Sequence, residues 1–325
     1  MRATNQRLRV TTVVACACAV FFPAALGTPT ASQANTTVPN PFKVVARWSA
    51  KKLGLHHPTQ TLAIGPGGNL YVTDYKQRVT EISPKGKVLR RWGKKGGGPG
   101  QFDFVPIDLK APTQVHGSIA AGPDGKVYVS DSGNARVEVF SAKGRFIRQF
   151  GSYGEGNGQF LSPFDLAVDQ AGNIYVTDDQ RLNLQKFTSN GKFVWSTRGD
   201  LSSDPDLVGH LHLDTIDSHS RLVLTNDDKA RVLYLDQGGH KVDAFGSKSE
   251  FPSSACNVTV DKNGFTYVNG CYGNVTYVFD PSHTLVGRWA RSPLSIAPRF
   301  GPRGEIFALT GNGTLLKLRI TSPGG

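Results

Sequence analysis

The sequence predicts an all-β fold, a six-bladed β-propeller of four-stranded antiparallel blades closed by the N-terminal strand joining the last blade. Three observations predict it. A strand, turn, strand unit recurs six times; a further strand follows each of the first five copies but not the sixth; and a strand of that missing type stands ahead of the first copy. The 37 Gly and 19 Pro of the 325-residue chain suit a protein of many tight turns.

In chain order, residues 1–34 read as a secretory signal peptide. Arg2, Arg7 and Arg9 form a basic leader, Val10 to Leu26 is largely apolar, and Ser32-Gln33-Ala34 offers small residues for cleavage after Ala34. The alternative is an uncleaved anchor, against which stand Thr11, Thr12 and Pro23 inside the apolar stretch. A lipoprotein box at Val13-Val14-Ala15-Cys16 is disfavoured because the apolar run continues past Cys16. Cleavage leaves one domain, residues 35–325, expected to be secreted or extracytoplasmic and monomeric, with no further segment that spans a membrane.

Val44-Val45-Ala46-Arg47-Trp48 has the pattern of Val88-Leu89-Arg90-Arg91-Trp92 and of Leu285-Val286-Gly287-Arg288-Trp289. Residues 42–49 are therefore the expected outer strand of blade 6, which removes the open edge of the ring. Ala63 to Asp74 recurs as Ala120 to Asp131 and Ala167 to Asp178, and more loosely as Thr215 to Asn226, Thr259 to Gly270 and Arg299 to Thr310. The blades are expected at about 59–93, 116–151, 163–199, 211–246, 254–290 and 295–320.

The linkers Gly98-Pro99-Gly100-Gln101-Phe102 and Gly156-Asn157-Gly158-Gln159-Phe160, together with the repeat, resemble those of the NHL-repeat family. The resemblance covers about residues 42–320 and is strongest in blades 1 to 3. It implies a six-bladed propeller and leaves function open, since such propellers include RNA-binding domains of ubiquitin ligases, extracellular sensor domains, an amidating lyase, and related lyases and lactonases. The ligase class is disfavoured, because no Cys/His-rich zinc domain accompanies the repeats.

Cys16 and Cys18 leave with the signal peptide. If Asn263-Gly264 are the two central residues of a hairpin turn, Lys262 faces Phe265 and the register carries Cys256 opposite Cys271, close enough for a disulfide. Two free buried thiols are the alternative. Asn35, Asn257, Asn274 and Asn312 begin N-x-Thr sequons, relevant only in a eukaryotic host.

The repeated pairing of Asp74 with Arg78, Asp131 with Arg136 and Asp178 with Arg181, kept as Asn226 with Arg231, reads as blade construction, with a ring of ligand contacts as the other reading. Departures from the repeat are better leads to function. Phe102 to Ala121 spans 19 positions where Phe160 to Val168 spans 8, an insertion of about 11 residues near Val105 to Val115. Beside it, His116 enters an inner strand, and blade alignment places Asp165, His212 and Asn257 at neighbouring channel positions. The amidating lyase the blades resemble holds zinc on histidines from separate blades, so a divalent metal in this channel is the enzymatic alternative. Two histidines without a third ligand fall short of a zinc site, and no cofactor and no catalytic residue are expected.

Charge is lopsided. Residues 43–110 hold 13 Lys and Arg against 4 Asp and Glu, whereas residues 111–200 balance at 9 against 9 and residues 201–325 at 12 against 12. Arg90, Arg91, Lys94 and Lys95, with Lys43, Arg47, Lys51, Lys52, Lys85 and Lys87, form a basic sector suited to an anionic polymer. The aromatic interleaving of single-strand nucleic-acid binders is thin there, so nucleic acid is not an expected partner. The leading expectation is a non-enzymatic extracellular binding or scaffold module for a protein or glycan ligand. The alternative is a metal-dependent lyase or lactonase.

Overall fold

Each repeat folds as its pattern of apolar residues requires. The computed structural model describes residues 40–58, 61–105, 117–198, 203–252, 254–271 and 274–321. Every copy is a four-stranded antiparallel sheet, six in all, with strands in sequence order from the inner edge outwards in blades 1 to 5. The second strands, such as Leu70–Asp74, Val127–Asp131 and Ile174–Asp178, are buried along their whole length because a neighbouring blade covers each face. Outer strands such as Val88–Trp92 are exposed or half-buried throughout. Apolar clusters form between blades, one joining Tyr128, Val137 and Val139 of blade 2 to Leu166, Ile174 and Val176 of blade 3.

Closure follows the expected route. Phe42–Trp48 pairs with the third strand of blade 6, Leu315–Ile320, from Phe42 opposite Ile320 to Trp48 opposite Leu315. Trp48, Leu53 and Leu55 then pack with Leu70 and Val72 of blade 1 and with Phe307 and Leu309 of blade 6. The linkers lock each blade to the next. Phe102 and Phe160 are fully buried, and Gly93 leaves the space that Phe102 fills: its φ is +93° and a Cβ there would lie 2.4 Å from the ring.

The repeated polar residues build blades. Arg78 and Arg136 bind the carboxylates of Asp74 and Asp131 at 3.0 and 2.9 Å, and Arg136 also binds Glu138 and donates to the carbonyls of Gly97, Gly98 and Gln101. In blade 3 the pairing differs from expectation. Asp178 accepts backbone N–H groups of Leu161, Ser162 and Arg181, and the Arg181 guanidinium goes to the carbonyls of Glu155, Gly156 and Gln159. In blades 2 and 4 the residue before the end of the second strand clasps the following blade: Ser130 Oγ donates to the Phe164 carbonyl at 2.7 Å, and Thr225 Oγ1 donates to the Cys256 carbonyl at 3.0 Å.

Cys256 and Cys271 are bonded, with Cα atoms 5.0 Å apart, but the hairpin between them is not the expected one. Asp261 N–H donates to the Phe265 carbonyl, so three residues form the turn, with Gly264 in the left-handed region at φ +84°. That moves the register by one residue, placing Val258 opposite Val268 and Val260 opposite Thr266. A bulge between Ala255 and Asn257 then brings Cys256 to Cys271, beyond the Ala255 to Gly270 pair. The signal-peptide segment lies outside the described residues, as do residues 106–116 of the insertion, His116 included.

Candidate functional site

Antiparallel pairing sets which loops share a face. The inner strand of blade 4, Leu211–Ile216, starts opposite the end of its second strand, since Leu211 pairs with Asn226. Inter-blade linkers and second-to-third-strand loops therefore open together, and Asp165, His212, Asp227 and the disulfide lie at this linker face.

His212 is the centre. Its Nδ1 is 3.3 Å from Asp165 Oδ2 on the inner strand of blade 3, Pro163–Val168, and its Nε2 is 3.7 Å from Asp227 Oδ2 in the loop after Asn226. The Phe164 ring meets the imidazole edge-on at 5.4 Å. Burial works against a charge on His212, but hydrogen bonds and charges from Asp165 and Asp227 outweigh it and hold its pKa well above 6.5. Burial pushes the Asp165 carboxyl up, helped by the charge of Asp214 and opposed by the His212 hydrogen bond. The raised pKa of His212 favours an imidazolium between Asp165 and Asp227. Asp227 Oδ1 is buried and has no hydrogen-bond partner among the described residues. His210, at the rim, lies 3.1 Å from Asp228 through Nδ1.

Deeper in the channel, Arg299 spans four blades. From the inner strand of blade 6 it binds Asp214 of blade 4 at 2.5 Å and reaches the carbonyls of Leu62 in blade 1 and Val258 in blade 5 at 3.4 and 3.5 Å. Asp214 also accepts Val258 N–H at 2.9 Å. It sits at a bulge, where Leu213 pairs with Leu224 and Thr215 with Val223.

Of the four channel residues expected from sequence, the structure brings Asp165 and His212 together. Asn257 lies on the inner strand of blade 5 opposite Asn269 and makes no side-chain hydrogen bond to either among the described residues. Arg90, Arg91, Lys94 and Lys95 are all exposed, on blade 1 and the linker after it. Sequence reasoning missed Asp227, Asp214 and Arg299. Arg299 had a readable signal, since it stands where blades 1 to 3 have Ala63, Ala120 and Ala167. Two sets of potential metal ligands share Asp227: His210 with Asp228, and His212 with Cys256, each with donor atoms within 4.8 Å of one another. The sulfur of Cys256 is bonded to Cys271, so the second set offers no thiolate.

Comparison with known proteins agrees with the architecture. The DUF5128 family profile, described as a 6-bladed beta-propeller, matches residues 118–248. The chain is a six-bladed β-propeller. It is 36% identical over 87 residues to the RING finger protein nhl-1 of Caenorhabditis elegans, a match covering 27% of this chain and 8% of that protein. The propeller also resembles a catalytically inactive virginiamycin B lyase from Staphylococcus aureus with quinupristin, at TM-score 0.59 and 12% identity over 86% of this chain and 100% of the other. A streptogramin B lyase gives 0.58 and 11% over 86% and 98%, and a Bacteroides caccae protein of unknown function gives 0.51 and 13% over 71% and 81%. At these identities the likeness is one of fold.

Proposed function

We propose that this protein is a non-enzymatic, extracytoplasmic binding propeller that takes its ligand at the linker face, over Asp165, His212 and Asp227. One observation carries the reading: Asp227 Oδ1 is buried without a hydrogen-bond partner among the described residues, with the His210 ring nitrogen 3.9 Å away and the His212 imidazole on the other carboxylate oxygen. An unmet buried acceptor costs about 1–3 kcal/mol, which a ligand hydroxyl or amine recovers on binding. The suitable ligand is a glycan or a protein segment rich in such donors. The Arg299–Asp214 bridge lies beneath, so the ligand approaches from the linker face. The extracytoplasmic setting is supported by the signal-like leader and by the disulfide.

The test is binding of the purified chain to glycan and peptide arrays, followed by titration of the best binder. Asp227→Asn and His212→Gln are each expected to weaken it at least tenfold with little change in thermal midpoint. Full affinity in both variants would remove the linker face from consideration.

A metal-dependent lyase or lactonase is the second reading, favoured by the histidine and carboxylate donors around Asp227. Elemental analysis separates the two. A stoichiometric divalent ion that is lost in His210→Ala would favour the enzyme.

A further inference from the structure

The basic sector becomes a continuous surface in the folded chain. The closing strand Phe42–Trp48, the short helix Ala50–Leu53 and the outer strand Val88–Trp92 lie side by side at the junction of blades 6 and 1. The Trp48 indole packs against the turn at Gly86, and the Arg91 guanidinium donates to the Leu53 carbonyl. Lys43, Arg47, Lys51 and Lys52 are exposed on the first two elements, and Lys85, Lys87, Lys94 and Lys95 on blade 1 and its linker. None of these eight forms an ion pair among the described residues. Two carboxylates nearby in sequence point inward: Asp74 is buried against Arg78, and buried Glu81 binds Arg90 and Asn69 at 2.7 Å each. These two acids are thus hidden while the cations are displayed.

A second observation supplies a seat for an anion. An open surface pocket of about 270 Å³ lies beside the closing strand, lined by Arg47, Pro293, Thr310, Gly311, Asn312 and Thr314. Arg47 is its only charged residue. The Asn312 side-chain oxygen already accepts the hydroxyls of Thr310 and Thr314, at 2.6 and 2.9 Å, which leaves its amide nitrogen as a donor. The turn that carries Asn312 packs through Gly313 on Pro58 and Ala50, so the pocket joins the helix bearing Lys51 and Lys52.

We propose that this seam binds a linear polyanion with closely spaced sulfate or phosphate groups, one of them seated in the Arg47 pocket. Its cations would displace the condensed counterions of such a polymer, a gain proportional to the number of anions contacted. Single-stranded nucleic acid fits less well, because Trp48 is buried and Trp92 packs between Tyr71 and Phe140, which removes the stacking platform. No residue of this seam belongs to the linker-face site, so the two proposals stand or fall separately.

The test is titration of the full chain with heparin and, in a second arm, with inorganic polyphosphate. Binding is expected to weaken at least tenfold between roughly 50 and 200 mM salt. The quadruple change Lys51→Glu, Lys52→Glu, Lys94→Glu and Lys95→Glu is expected to weaken it at least thirtyfold. A control of equal charge, Lys143→Glu, Arg145→Glu, Lys192→Glu and Lys262→Glu, is expected to cost less than threefold. Arg47→Gln should cost more than Lys94→Gln. Binding in one arm only names sulfate or phosphate as the preferred group, and binding in both assigns the shared chemistry. Equal losses in the seam and control variants, or no binding in either arm, would overturn the proposal.

Discussion

Blades 1 to 3 and blades 4 to 6 share one strand plan but use their polar residues differently. In blades 1 to 3 an Asp ends each second strand and is consumed by its own surroundings: Asp74 by Arg78, Asp131 by Arg136 and Asn134, Asp178 by backbone N–H groups. In blades 4 to 6 the equivalent residues are Asn226, Gly270 and Thr310. In blade 4 carboxylates appear one and two places later, as Asp227 and Asp228, beside histidines, and Arg299 reaches from blade 6 into the channel. Where the repeat is kept, polar groups satisfy the scaffold. Where it is lost, they meet across blades and face the channel.

The sharpest way to break this comparison is Arg299→Ala. It strands the nearly buried Asp214 carboxylate and is expected to cost about 3–5 kcal/mol in urea unfolding, whereas Arg78→Ala, at a more exposed pair, should cost less than half as much. Equal losses would erase the distinction between repeated and singular pairs. Next in size is the disulfide. Its cysteines are 15 residues apart, and Cys256→Ser with Cys271→Ser should lower stability by about 3 kcal/mol. An unchanged unfolding midpoint would show that blade 5 does not depend on the bond.

A smaller effect tests blades 1 to 3. Burial, with the charge of Asp131 added and Arg136 opposing, raises the Glu138 pKa to about 7; burial likewise raises Asp131 to about 6. Groups raised in the folded state contribute stability that is fully present below their unfolded values, near 4, and is lost as pH rises to about 7. Stability should therefore fall by on the order of 1–3 kcal/mol between about pH 4 and 7 through these two groups. Glu138→Gln should flatten that slope in a series of thermal melts, and an unaltered slope would locate the titration elsewhere. Smallest are the clasps between blades. Thr225→Val removes one hydrogen bond and should cost about 1 kcal/mol, whereas Ser130→Ala removes the donor to Phe164 and also the acceptor of the Ser118 N–H and should cost about 2 kcal/mol in urea unfolding. A larger loss for Thr225→Val would mean that the halves differ in scaffold as well as in channel chemistry.

Blade number and the closing strand were legible because they rest on periodicity and turn residues, which act over a few positions. The Cys256–Cys271 bond was also legible, though by a register one residue off. Asn263-Gly264 is compatible with a two- or a three-residue turn, and the bulge at Cys256 compensates for the difference. His212 and Asp165 were legible as channel residues from blade alignment. Their partner Asp227 was not, because its role depends on how a loop folds back over the mouth. Arg299 belongs to the same class: its contacts in blades 1, 4 and 5 are set by ring geometry and by no local pattern.

The closing strand has a consequence for how the molecule comes into being. Phe42 finds its partner at Ile320, so all the intervening blades must be synthesised before the sixth sheet can gain its outer strand. Until then the closing strand waits with an unpaired edge, and closure over so long a loop is among the slow steps of β-rich folding. Once closed, the ring has no terminal blade from which unravelling can start. Its durability is then a matter of how seldom one short seam parts, and a tethered polymer across that seam would make parting rarer still.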